Sequence, residues 1–261
     1  MTSPHFPFGS PLEARKPSAT SARRVFLLGA YPSALHVEWN APAPFKGVKA
    51  LAVDNEPVPF WTGTDEAERI EGWKARVGWR EDWGTVGPVG PLNGSSGLWV
   101  EQKVLSPLKA SRAETWITDC LDTYRFSHGQ QDVVTEKFTT FAAKLGLPWE
   151  GVPRELQHPS EDDIVREAAE QHHKRLMTEL RTAVPQLVVT LGNAALRVFA
   201  RLASVPEPEL LKPNADYGKE IGVMLGTKPV TWLPLVHPGQ RSKEWQAAHT
   251  KWIRGRTRPV L

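Results

Sequence analysis

A few side chains in this sequence have types and positions suited to chemistry. His237 precedes Pro238 at the end of an apolar run. As a neutral imidazole it can donate to an oxygen on which negative charge is growing, favouring the transition state over the ground state. Asp119 closes the segment Trp116-Ile-Thr-Asp119. Ionised, a carboxylate only accepts hydrogen bonds; held protonated by burial, it also donates. Asn93 carries donor and acceptor in one amide, and Asp122 stands close enough to replace Asp119 if the strand register lies one turn off. His172 and His173 are adjacent, so on a helix they face different directions and read as surface residues, not metal ligands. The lone Cys120 excludes a disulfide framework and any Cys-ligated zinc or iron–sulfur centre built by this chain alone. No GxGxxG or Walker pattern points to a nucleotide cofactor, and no metal or cofactor is expected.

The elements that must position these residues are legible as short apolar runs and longer periodic ones. Val25–Leu28, Val48–Val53, Glu114–Leu121, Pro185–Leu191 and Val230–Val236 read as strands. Helices are predicted over Asp65–Val77 with Thr64 as N-cap, over Gly94–Leu105, over Glu161–Val184 with Ser160 as cap, from Gly192 to Phe199, and over Lys243–Ile253. Strand, turn and helix recur four times, the pattern of a parallel sheet covered on both faces. The expected fold is therefore α/β, a three-layer α/β/α sandwich around a central, mostly parallel four-stranded sheet. In such sheets ligands bind outside the carboxyl ends of the strands. That singles out the loops at Gly29–Ser33, Asp119–Arg125, Gly192–Asn193 and His237–Ser242.

The 261 residues, 40% hydrophobic and 23% charged, suit one sizeable domain. Residues 1–22 are rich in Pro, Ser and Ala and read as a flexible basic arm, leaving 23–261 as a single domain. Five of the 11 Trp, at 39, 61, 73, 79 and 83, fall within a segment of about 34–90. The net charge of +3 conceals a pattern. Arg15, Lys16, Arg23 and Arg24 make the start basic, and Arg241, Lys243, Lys251, Arg254, Arg256 and Arg258 make the end basic, around an acidic body. Basic tails are an electrostatic footprint of nucleic-acid binding. No apolar run reaches the roughly 18 residues of a membrane span, and no signal-peptide core is seen, so a cytoplasmic protein is expected.

Five motifs, in order and each at an expected strand end, resemble the uracil-DNA glycosylase superfamily, and in particular its branches related to the iron–sulfur glycosylases. They are Gly29-Ala-Tyr-Pro32, Pro91-Leu-Asn-Gly-Ser-Ser-Gly97, Trp116-Ile-Thr-Asp119, Leu191-Gly-Asn-Ala-Ala195 and His237-Pro-Gly239, spanning about residues 25–242. The departures are specific. The cluster cysteines are absent; Tyr31 stands where the classical uracil enzymes carry an aspartate; Asp119 replaces the uracil-reading Asn; Leu92 replaces the stacking Phe; and residues 34–90 are an insertion.

The resemblance implies a monomeric, monofunctional DNA glycosylase that flips uracil or a related damaged base out of DNA and hydrolyses its N-glycosidic bond, initiating base-excision repair and releasing free uracil. It implies His237 as the residue that stabilises the departing base, and Asp119 as either a protonated base reader or a group that orients water and stabilises the oxocarbenium ion. The base pocket is expected to comprise Gly29, Ala30, Tyr31, Pro32, Leu92, Asn93 and Phe60, with Asn93 as a second candidate reader and Phe60 as the stacking ring. Arg241 would be the wedge beside the flipped nucleotide, with Arg254, Arg256 and Arg258 on the DNA backbone. The alternative, prompted by Tyr31, is a catalytically inactive DNA- or nucleobase-binding protein on the same fold.

Overall fold

The computed structural model describes residues 4–256. Its central sheet arises where alternate side chains of one strand must be buried on opposite faces. In β1 (Val25–Gly29), Phe26 and Leu28 enter one hydrophobic core while Val25 and Leu27 enter another. Three further strands behave alike: β5 (Thr115–Asp119), β6 (Leu187–Leu191) and β8 (Lys228–Leu235). The parallel order β5-β1-β6-β8 is extended by an antiparallel edge strand, β7 (Ile221–Leu225). The sheet thus has five strands where four were expected. β7 escapes sequence reading because only Val223 among its five residues is buried.

Helices cover both faces. On one lie α5 (Glu161–Glu167), α6 (His173–Ala183) and α7 (Asn193–Leu202), which contribute Ile164, Leu176, Leu180 and Phe199 to the core around Phe26, Trp116 and Trp232. Ser160 accepts from the Asp163 N–H, the expected cap of α5, and a π-turn over Ala168–His172 joins α5 to α6. On the other face, α2 (Ser95–Val100) with its π-helical extension to Leu105, and α8 (Lys243–Gly255), bring Val100, Val104, Leu105 and Trp252 against Leu27, Val189 and Leu233. Among the described residues no helix is long and apolar enough to cross a membrane.

The Trp-rich insertion builds a third core. β2 (Ala34–Asn40), β3 (Val48–Asn55) and β4 (Thr85–Gly87) form a separate antiparallel sheet, so Val48–Val53 is a strand but not one of the parallel set. Helix α1 (Glu66–Val77) begins with Asp65, not Thr64, at its N-cap; the Asp65 carboxylate accepts from the Trp61 indole and the Arg69 guanidinium. Trp39, Trp61, Trp73 and Trp83 pack here with Phe138, Phe141 and Trp149, which come from the π-helical turn Val134–Phe138 between α3 (His128–Val133) and α4 (Thr139–Leu145), from α4, and from the segment after it.

Residues 4–22 are not a free arm. Phe6 is 0% exposed, and the Phe8 ring meets Trp39, Trp73, Trp79, Trp83, Phe138 and Phe141 with centroids 4.8–6.1 Å away. Low periodicity concealed this because two aromatic anchors, not a repeating face, hold the segment. Phe8→Ala should therefore cost about 3–5 kcal/mol of stability in urea unfolding, whereas an unattached arm would leave the midpoint unchanged.

Candidate active site at the carboxyl edge of the sheet

Parallel register aligns the strand ends. Gly29 pairs with Asp119, and Leu191 with Leu235, so the loops after β5, β1, β6 and β8 emerge along one edge. The ladder runs on beyond the strands: the Cys120 and Leu121 N–H groups donate to the Gly29 and Ala30 carbonyls, and the Gly192 N–H donates to the Leu235 carbonyl. Tyr31 and Pro32 follow in the same turn; Ala30 and Tyr31 pack on the α5–α7 side, and burial raises the Tyr31 phenol above its usual range.

Above Gly29 the site is crowded. A Cβ there would lie 2.1 Å from Asp119 Oδ1 and 2.8 Å from the Phe60 ring. Glycine is thus required by the close approach of an acid and an aromatic face. Phe60 adopts a left-handed φ of 52°, which a non-glycine residue holds only under constraint. The constraint is visible: the Arg112 guanidinium binds the Pro59 and Phe60 carbonyls, and the backbone of Gly97 lies against the Phe60 and Trp61 carbonyls.

Asp119 is 4% exposed, and its Oδ1 has no hydrogen-bond partner among the described residues. Burial, then the neighbouring Glu56 charge, pushes its carboxyl well above the ordinary range, against the opposing pull of Arg175. Arg175, on α6, donates to the Asp119 and Cys120 carbonyls at 2.9 and 2.8 Å, which fixes the backbone beneath the acid. Glu56 lies just past β3. Its carboxylate accepts from the Ser33 and Trp61 N–H groups at 3.0 and 3.3 Å, and the Arg15 guanidinium binds its carbonyl. Desolvation raises Glu56 to about 7.

His237 sits after β8, against Gly192, whose φ of 87° favours glycine and where a Cβ would lie 3.1 Å from the His237 Cβ. The Gly239 N–H donates to His237 Nδ1 at 3.0 Å. That bond assigns the proton of the neutral ring to Nε2, and burial lowers the imidazole to about 4. His237 is therefore a neutral donor through Nε2 at physiological pH.

Other expected site residues are placed differently. Asn93 is buried, but its amide accepts from the His36 N–H and donates to the His36 carbonyl and to Glu66, so both N–H donors are spent on bracing β2 and α1. It is not available to read a base. Leu92 is 42% exposed and walls no buried pocket. Asp122 belongs to a charged cluster, facing His172 at 3.5 Å and Arg175 at 3.7 Å. His172 is accordingly only 13% exposed at its side chain, not a surface residue. Arg241 and Arg254 are exposed as expected. Arg256 is not: it pairs with Glu220 and lies 4.8 Å over the Trp252 ring. Arg258 lies outside the described residues. Among those residues no cluster of three or more His, Cys, Asp or Glu side chains is arranged to hold a metal ion.

Glu56 and Arg175 were missed by sequence reasoning. Glu56 is 63 positions from Asp119 and sits in the insertion, and Arg175 looks like any solvated helix residue, so no local signal marks either. No protein-family model matches this sequence, and no curated protein matches it at a significant level.

The His237 ring should titrate near 4 by imidazole NMR, with Nε2 carrying the proton above that pH; a midpoint near 6.5 would contradict the burial. An unfolded histidine titrates near 6.5. Between about 6.5 and 4 these histidines bind more protons unfolded than folded, so the contributions of His237 and of buried His36, also lowered to about 4, should fall as pH drops through that window, while the raised Glu56 and Asp119 carboxyls, protonated in the folded chain, oppose the loss.

Proposed function

We propose that this chain is a DNA glycosylase of the uracil-releasing kind, hydrolysing the N-glycosidic bond of uracil or a related damaged base after flipping it from the helix. The observation that carries this reading is the pairing of two unlike groups on one sheet edge: a buried, unpartnered acid at Asp119 whose carboxyl burial pushes well above its ordinary range, and a neutral imidazole at His237 with its proton assigned to Nε2. Three strand spacings separate β5 from β8, roughly 14 Å at about 4.8 Å each, which leaves room for a planar base between the two side chains.

Each group has a defined task. A protonated Asp119 presents an O–H donor and a carbonyl acceptor, the complement of uracil O4 and N3–H. Its unpartnered Oδ1 is what a base edge would satisfy. This resolves the problem an ionised Asp119 would face, which is repulsion of O4. The Phe60 ring supplies the apolar face that Leu92 does not. As the C1′–N1 bond breaks, the electron pair leaves with the base, and His237 Nε2–H stabilises the resulting anion at a carbonyl oxygen. Water adds to C1′ of the oxocarbenium-like sugar, and the proton it loses is taken up through solvent by the departed base anion at N1. Exposed Arg241, in the loop between β8 and α8, suits the space vacated by the flipped nucleotide. The family-like motifs support the same assignment: Gly29-Ala-Tyr-Pro32, Trp116–Asp119 and His237-Pro-Gly239 all meet at this edge.

The reaction should be measurable as uracil release from single- and double-stranded oligonucleotides, unaffected by EDTA and weakened by salt. His237→Ala should lower the rate about 10²–10³-fold, the scale of losing one oxyanion donor. Retained DNA affinity with no release of any deaminated or oxidised base would show a binding protein instead. Asp119→Asn separates the two roles of the acid. An amide also donates and accepts, so activity at neutral pH should stay within about tenfold of wild type if Asp119 is a neutral reader. Loss beyond about a thousandfold would assign it to water activation.

A further inference from the structure

The turn from Gly29 to Ser33 holds a carboxyl group at each end. At one end Asp119 Oδ1 lies over Gly29, and at the other the Ser33 N–H donates to Glu56. Both acids are almost wholly buried, at 4% and 3% exposure. Phe60 links them, since its ring borders Asp119 and its own N–H, with that of Trp61, faces the Glu56 carboxylate. Two like charges so placed in a medium of low dielectric oppose one another, so ionising one acid makes the other hold its proton more firmly.

Which acid holds that proton follows from their partners. The Glu56 carboxylate receives backbone N–H donors from Ser33 and Trp61, and Arg15 from the N-terminal segment adds positive charge. All of these favour the anion. Asp119 Oδ1 receives no donor from the described residues. Arg175, whose charge favours Asp119 ionisation, is itself bridged to Glu179, and Glu179 acts on Asp119 in the opposite sense. Cys120, next in the chain, is a buried thiol and brings no charge.

We propose that Glu56 and Asp119 form an electrostatically coupled carboxyl pair in which Glu56 is a positioning residue, keeping on Asp119 the proton that lets it read an imide edge of a base such as uracil. The pairing rests on the geometry above; its use in base reading rests on the function proposed for Asp119. The insertion that distinguishes this chain thereby supplies a charge to its active site. Neither acid was paired with the other by sequence, because β3 and β5 belong to different sheets.

Carboxyl ¹³C NMR on the wild-type protein tests the pair without any variant. Asp119 and Glu56 should each report two coupled steps, and independent single-step titrations would overturn the proposal. Glu56→Gln removes the charge and keeps one carbonyl acceptor, enough for the Ser33 or the Trp61 N–H, which bind different carboxylate oxygens in the wild type. In that variant the Asp119 midpoint should fall by about one to two pH units, and an unmoved midpoint in the folded variant would also overturn it. Affinity for free uracil, measured by calorimetry, should decline at the pH where Asp119 ionises, and this decline should move to lower pH in Glu56→Gln. Coupled titration without uracil binding would leave the pair standing and defeat the glycosylase reading alone.

Discussion

The site depends on a single close approach, the Asp119 carboxyl and the Phe60 ring sharing the space directly above the Cα of Gly29. Any side chain at position 29 would fill that space. The approach is set by the parallel register that pairs Gly29 with Asp119, and by the left-handed backbone of Phe60 that turns its ring inward. Register is itself fixed by burial on both faces of β1 and β5, because a shift of one residue would move every side chain to the opposite core. Thus the hydrophobic packing of the sheet determines where an acid and an aromatic face meet.

Holding an acid there is costly. A buried carboxyl without a donor loses the hydration it had in water, and the cost is reduced by keeping it protonated. The surroundings act consistently in this direction: Glu56 contributes a like charge, and Arg175 is divided among Glu179 and the carbonyls of Asp119 and Cys120. His237 shows the complementary logic. Burial removes its charge, and the Gly239 N–H selects the tautomer. Burial thereby disfavours the charge on both groups, pushing the Asp119 carboxyl up and the His237 imidazole down.

The third core explains what the tryptophans do. They join the antiparallel sheet, α1, and the α3–α4 region into one apolar cluster, and residues 4–22 are anchored to it by Phe6 and Phe8. This mass carries Glu56 and Phe60 to the edge of the parallel sheet. The same N-terminal segment delivers Arg15 to the Glu56 carbonyl. An extension that composition alone describes as an unstructured basic arm therefore touches the candidate site.

Local sequence determined much of this architecture. The four parallel strands, the glycines that end β1 and β6, and the Ser160 cap are legible because each follows from burial periodicity or backbone chemistry within a few residues. So are Asp119 and His237, which stand at strand ends. What only the tertiary structure decided are the relations between distant segments. Asn93 has the right chemistry for reading a base, yet its amide is spent on His36 and Glu66 across 57 and 27 residues. Arg256 has the right charge for DNA, yet Glu220 and Trp252 hold it. Glu56 has no local mark of importance, yet its charge acts on Asp119. Hydrogen-bonding capacity and charge are properties of a residue, but their availability depends on which partners folding brings within about 3 Å, and that is not written in any single stretch of the chain.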